Sequence, residues 1–313
     1  MPKTHYRLII LGGGPAGLSA GLYAARARLD HLLIEKGATG GQVLNTHWID
    51  NYPGFPEGIS GFELMDKMVA QARRFEMNST MQTAVKVELP DNAAKIIHLD
   101  DGSRLTCDSL IICTGARANS AGVPGENQFI GKGVSYCGTC DGPFFRNLDV
   151  AVIGGGNTAV QEAEHLTKFA RKVVLIHRRD SLRATKVVQE KALANPKIEF
   201  VWNSRVTAIF GEKEVEAVEL TGNDGQVSRR PMQGVFVFIG ITPNNAGLPL
   251  DRLQAAADGF IPVDTECRTR VPGVMAAGDI CAKKVRQIVN ACGEGAVAVL
   301  SAESYLATLG HTP

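Results

Sequence analysis

Two cysteines two residues apart, followed by a carboxylate, are the residues of this 313-residue chain best suited to chemistry: Cys137-Gly138-Thr139-Cys140-Asp141. A pair so spaced can close a small disulfide that an electron source opens. A thiolate attacks, and a proton returns to the leaving sulfur. Asp141 stands beside the pair to manage that proton. The same spacing also serves as half of a zinc site, or as two inert buried thiols. The other five cysteines, Cys107, Cys113, Cys267, Cys281 and Cys292, form no second closely spaced pair. That argues against a four-ligand structural zinc, and no metal is expected.

The flanking sequence favours redox chemistry. Residues 7 to 11 read as a buried strand, followed by Gly12-Gly13-Gly14-Pro15-Ala16-Gly17 and a helical pattern to about Arg28. In such a Gly-x-Gly-x-x-Gly turn, Gly12 permits the tight bend and Gly14 lets a pyrophosphate approach the backbone. Gly17 lets the helix pack on the strand, and the helix amino terminus faces the phosphates. A second strand, 31 to 34, ends at Glu35, 23 residues beyond Gly12, where an acid can accept hydrogen bonds from ribose hydroxyls.

Residues 150 to 179 repeat this unit without a gap. A strand at 150 to 153 leads into Gly154-Gly155-Gly156-Asn157-Thr158-Ala159, a helix, and a strand at 173 to 176. Position 177, again 23 residues beyond the first glycine, holds His177, with Arg178 and Arg179 following. Cations there suit a 2′-phosphate, so the first site reads as FAD or NAD and the second as NADP. Each half also closes alike: residues 110 to 115 end at Gly115 with Asn119 four residues on, and 236 to 240 end at Gly240 with Asn244 four residues on. The halves read as duplicated domains. Turn-rich stretches at 118 to 127 and 242 to 249 are candidate linkers and hinges.

About 65 residues remain, too few for a third domain, so they return to the first. Strands are expected at 259 to 263 and 274 to 279. Asp279 would then meet the first cofactor. A helix from about Gln287 to Leu309 would aim its amino terminus at a flavin, with Arg286 and Gln287 helping to hold negative charge.

Composition agrees. At 44% hydrophobic and 21% charged the chain reads as soluble, globular and long for one domain. A formal net charge of +1 argues against nucleic acid or an anionic membrane as a partner. Seven scattered cysteines fit a cytoplasmic protein with one working pair. The apolar run after Lys3 and Arg7 is broken within four residues by glycines, unlike a secretory signal. No stretch nears the roughly 18 apolar residues that would cross a bilayer.

Taken in order, Gly12 to Gly17, Gly40-Gly41-Gln42, Asn51-Tyr52-Pro53-Gly54, Cys137-x-x-Cys140-Asp141-Gly142, Gly154 to Ala159, His177-Arg178-Arg179-Asp180-x-x-Arg183-Ala184, Ile239-Gly240-x-x-Pro243-Asn244, Gly278-Asp279 and Arg286-Gln287 resemble the low-molecular-weight thioredoxin reductases. The resemblance spans nearly the whole chain. A dithiol between two dinucleotide units is specific to that group. It implies an α/β fold of two three-layer, Rossmann-like domains, the second inserted into the first. FAD would be held by residues 1 to 117 and 246 to 313, and NADPH and the dithiol by 118 to 245.

By the same resemblance, the FAD site would comprise Gly12, Gly14, Pro15, Ala16, Gly17, Glu35, Lys36, Gly40, Gly41, Gln42, Asn51, Val87, Thr114, Gly115, Gly278, Asp279, Arg286, Gln287 and Ile288. The NADPH site would comprise Gly154, Gly156, Asn157, Thr158, His177, Arg178, Arg179, Arg183, Ile239 and Gly240. Cys140 would be the sulfur nearest the flavin, Cys137 the one that attacks thioredoxin, and Asp141 the acid-base group. The expected assembly is a homodimer whose middle domain rotates to serve the flavin in two ways. Pro143 and Val285 depart from the family, which often has aromatic residues there. The resemblance is to the form without a fused thioredoxin-like domain or a carboxy-terminal redox tail. The scaffold also admits another donor, such as NADH or reduced ferredoxin, or another disulfide partner. A redox sensor that does not turn over is a further reading.

Overall fold

The structure, a computed structural model, describes residues 3–46, 48–91 and 93–310. The expected absence of a redox tail concerns residues 311 to 313 and lies outside them. The chain divides into two compact units, Met1–Arg117 with Thr242–Pro313, and Ala118–Ile241.

The first unit opens with β1 (His5–Leu11), α1 (Pro15–Arg26) and β2 (His31–Glu35). Then come α2 (Gly61–Arg73), β3 (Ser79–Met81), β4 (Ala84–Glu88), β5 (Lys95–Leu99) and β6 (Arg104–Ile112). Strands β3, β2, β1 and β6 run parallel in that order. The start of β6 carries β5 and β4 as an antiparallel branch. Leu8, Ile9 and Ile10 are fully buried, because layers cover both faces of β1. Such a strand is a continuous apolar run and not an alternating one. Leu8 and Ile10 face α1 and α2, while Ile9 and Leu11 face the opposite layer. Each such side chain contributes roughly 1.5–3 kcal/mol by its burial.

The chain crosses into the second unit through β7 (Ala116–Ala118). There it forms β8 (Val134–Ser135), the short helix α3 (Gly138–Asp141), β9 (Asp149–Gly154), α4 (Asn157–Leu166), β10 (Lys172–Ile176), α5 (Lys186–Leu193) and β11 (Ile198–Val201). An antiparallel sheet of β12 (Ser204–Phe210), β13 (Ala217–Gly222) and β14 (Val227–Pro231) follows, then β15 (Gly234–Phe238). The parallel sheet runs β11-β10-β9-β15-β8. Helix α4 covers one face, and the antiparallel sheet covers the other.

The return crossing is β16 (Ile241–Pro243), which pairs with β7. Strand β17 (Val274–Ala276) then pairs with the end of β6, and α6 (Ile288–Thr308) packs on α1. That packing is close: a Cβ on Gly295 would lie 2.2 Å from the Ala16 carbonyl oxygen. Ser19 Oγ also donates to the Cys292 carbonyl at 2.7 Å.

One expectation changes. The strand expected at 259 to 263 is a single bridge, Ile261 to Cys281, because Gly259 turns at φ +84° and Pro262 has no N–H to extend a ladder. The stretches read as candidate linkers are held by hydrogen bonds within their own units. Glu126 is 1% exposed and accepts hydrogen bonds from Ala121 N (2.8 Å), Gly122 N (2.7 Å), Ser120 Oγ (2.8 Å) and the Tyr136 hydroxyl (2.8 Å). On the other crossing, Asn244 donates from its backbone to Gly115 O and from its side chain to Thr114 O, both at 2.9 Å.

Candidate active site

In the second unit Cys137 and Cys140 are joined by a disulfide, with Cα atoms 5.3 Å apart. Strand β8 places the pair. Pairing with β15 carries the chain to Ser135, whose hydroxyl accepts from Cys137 N at 3.0 Å and donates to Cys137 O at 3.3 Å. The turn into α3 then lets Cys137 Sγ accept from Cys140 N at 3.2 Å and Cys137 O accept from Asp141 N at 3.1 Å. Both cysteines and Asp141 are half-buried, while Pro143 is exposed. Among the described residues no cluster of three or more His, Cys, Asp or Glu could hold a metal.

Helix α3 packs on α4, the helix that begins at the second glycine turn, so disulfide and turn share one body. Loop 177 to 185 wraps that turn: Arg183 N and Ala184 N donate to Gly155 O at 2.7 and 3.2 Å, and Thr185 N donates to Asn157 Oδ1 at 2.7 Å. Arg178, Arg179 and Arg183 are exposed there. His177 differs from them. It is 5% exposed and lies on Gly155, where a Cβ would meet its ring at 2.2 Å. Burial lowers its pKa, which disfavours the charged ring, and the exposed cations of this loop are the arginines. Gly240 O accepts from Asn119 N at 2.9 Å, beside half-exposed Ile239.

In the first unit Gly12 turns at φ +101°, and a Cβ there would lie 2.4 Å from Cys113 O. Glu35 accepts from Gly13 N at 2.6 Å and Gly37 N at 3.2 Å, in the register that His177 occupies in the second unit, with Lys36 exposed beside it. Gly40 N donates to Gly13 O at 2.8 Å, which lays Gly41 against Gly14. Gln42 Nε2 donates to Ala116 O, and Asn51 Nδ2 donates to Gln287 Oε1 at 3.1 Å. Gln287 is the cap residue before Ile288 opens α6. Val87 is buried on β4, its N–H given to Gly247 O at 2.8 Å.

Gly278 meets Ala16, where a Cβ would fall 2.9 Å from the alanine Cβ. Gly278 N donates to Glu294 Oε2 at 2.8 Å, and Glu294 pairs with Lys283 at 2.7 Å. Burial pushes the neighbouring Asp279 carboxyl up, against the opposing pull of Lys283 and Arg286. Arg286 donates to Lys283 O and Cys281 O at 2.6 and 3.3 Å and lies over the Phe260 ring.

Three residues of these sites, Ser135, Glu294 and Lys283, escape a motif reading. A lone carboxylate in the first half of the otherwise apolar α6 was the available signal for Glu294.

Both turns fit a dinucleotide. A Cβ on Gly14 would meet nothing closer than 4.0 Å, and one on Gly156 nothing within 4 Å. Protein packing therefore does not demand glycine at either place, whereas a pyrophosphate pressed on the backbone does. In the first unit Thr114 Oγ1 and Arg286 Nε are buried without a hydrogen-bond partner among the described residues, as donors facing a flavin would be.

The chain belongs to the pyridine nucleotide-disulphide oxidoreductases, whose family model matches residues 6–295. Membership implies a flavin and a pyridine nucleotide. Within that family its relatives include thioredoxin reductases. One from Peptoclostridium acidaminophilum is 44% identical over 97% of this chain and 98% of its own length. Another from Listeria innocua is 42% identical over 97% and 95%. The solved thioredoxin reductase of Streptococcus pyogenes MGAS5005 superposes with a TM-score of 0.93 at 42% identity, covering 98% of this chain and 99% of that one.

Proposed function

We propose that the chain is an FAD-dependent, NADPH-driven reductase of thioredoxin. FAD would lie on the first glycine turn and NADPH on the second, with domains of residues 1–117 plus 246–313 and 118–245. A flavin held by the first unit would supply the relay between a two-electron hydride donor and a disulfide. The observation that carries this reading is the Cys137–Cys140 disulfide packed through α3 on the helix of the second glycine turn. It is supported by full-length likeness to thioredoxin reductases.

In this reading Arg178, Arg179 and Arg183 hold the 2′-phosphate by charge-assisted hydrogen bonds. Glu35 orients the ribose of the other cofactor. Cys140 takes electrons from the flavin side, Cys137 attacks the thioredoxin disulfide, and Asp141 moves the proton between sulfur and solvent. The protein works as a cytoplasmic homodimer, with no nucleic-acid or membrane partner. Among the described residues no helix is long and apolar enough to cross a membrane.

Anaerobic mixing with NADPH or NADH, followed by addition of thioredoxin, tests this directly. NADPH should bleach the flavin absorbance and thioredoxin should restore it. A flavin that stays oxidised would replace the reductase by a non-turnover sensor, and equal use of NADH would overturn the donor assignment.

A further inference from the structure

Helix α4 carries a carboxyl that this chemistry leaves unused. Glu162 Oε2 is shielded from solvent and has no hydrogen-bond partner among the described residues. It lies against Gly138, between the two cysteines, where a Cβ would come within 2.2 Å of it, and Phe238 closes the same space at 3.6 Å. Gly138 is buried, and its φ is not in the left-handed region. Glycine there is therefore not required by the backbone. It leaves the place of a side chain to the Glu162 carboxyl oxygen.

A buried, unpartnered oxygen loses the hydrogen bonds that water would give it. Burial alone raises the Glu162 pKa, which favours the protonated form. The elements packed on α4 offer no counter-charge for it. On α3 stand the two cysteines and Asp141; on α5, exposed Lys186, Glu190 and Lys191; on β9 and β10, Asp149 and Lys172, paired with Arg171 and Glu199. Strand β15 carries no titratable group.

We propose that Glu162 is a positioning residue for the dithiol, holding a proton beside the sulfur pair and hydrogen-bonding Cys137 once the disulfide opens. The inference rests on the Cys137–Cys140 pair being redox-active, as read above. In the step, the S–S bond takes two electrons from the reduced flavin and breaks, and one proton from solvent makes the pair one thiol and one thiolate. The Glu162 O–H donates to the Cys137 thiolate and keeps it nucleophilic. Above the Glu162 pKa its carboxylate repels the thiolate and the thiol pKa rises.

The test is the rate of alkylation of Cys137 by iodoacetamide in dithiothreitol-reduced protein, measured against pH for the unmodified chain, Glu162→Gln and Gly138→Ala. Glutamine donates at every pH and never ionises, so Glu162→Gln should show a single inflection. The unmodified protein should show two: it should match Glu162→Gln while Glu162 is protonated and fall behind it by about tenfold once Glu162 has ionised, the effect of a one-unit rise in thiol pKa. Gly138→Ala should displace the carboxyl and remove the second inflection while Glu162 remains, which keeps the test open if Glu162→Gln folds poorly. Superimposable profiles for all three proteins would overturn the proposal. Thioredoxin turnover is scored separately: its absence from the unmodified protein would overturn the reductase reading, while the alkylation profiles would still decide the role of Glu162.

Discussion

Position 177 shows how one register can serve two chemistries. In the first unit Glu35 spends its oxygens on the Gly13 and Gly37 amides, and in the second His177 packs its ring on Gly155. The same contact with the glycine turn is made once by an acid and once by a buried imidazole. In the proposed function, charge for a 2′-phosphate falls to the exposed arginines of the loop that follows. Arg178→Ala should lower kcat/KM for NADPH by about tenfold or more, since a hydrogen bond to a charged group is worth about 1.5–3 kcal/mol, and should barely move the value for NADH. Steady-state kinetics with both nucleotides checks this, and equal losses for the two would remove the arginine from phosphate binding. At the dithiol, Asp141→Asn should leave flavin reduction by NADPH intact and slow thioredoxin reduction by about 10²-fold or more. Stopped-flow measurement of the two half-reactions separates these effects, and parallel losses in both would mean that Asp141 does not serve the dithiol step.

At the scale of elements, loop 118 to 127 is an anchored structure whose stability depends on one carboxylate. Burial by itself would push the Glu126 pKa up, but the Ala121 and Gly122 amides, Ser120 and Tyr136 outweigh it and hold the group below the ordinary carboxylate value. A group with a depressed folded pKa contributes stability that is fully present above its unfolded pKa and is lost as pH falls through the folded value. The contribution should therefore be intact near neutral pH and disappear on acidification below the usual carboxylate range. Glu126→Gln should cost about 1–3 kcal/mol at neutral pH and flatten the acid limb of the stability curve. Urea unfolding at a series of pH values measures both, and an unchanged acid limb would show that another group governs it. The spacing of Asn119 and Asn244 was legible as a repeated pattern; its meaning was not. Each asparagine bonds the glycine that ends the other half's strand, Asn119 to Gly240 and Asn244 to Gly115.

For the whole molecule, the turn-rich stretches 118 to 127 and 242 to 249 are each held within one of the two units. If the rotation that the family resemblance implies serves turnover, an engineered cross-link between the two units that holds the disulfide at the flavin should leave electron exchange between flavin and dithiol intact. The same link should abolish flavin reduction by NADPH. Stopped-flow absorbance of the linked protein reads both, and thioredoxin turnover at the unmodified rate would end the hinge model. By itself the sequence determined the fold class and the family. Glycine turns, strand hydrophobicity and the Cys-x-x-Cys spacing are local, each set by backbone sterics or side-chain chemistry within a few residues. The tertiary structure alone decided which distant groups meet. β17 joins β6 from 162 residues further along the chain, counted from Ile112 to Val274, while the matching strand of the second unit, β8, precedes its sheet neighbours. Glu294 reaches Gly278, and Glu162 fills the space above Gly138. These contacts depend on how helices and strands pack, which no periodicity or motif spacing encodes.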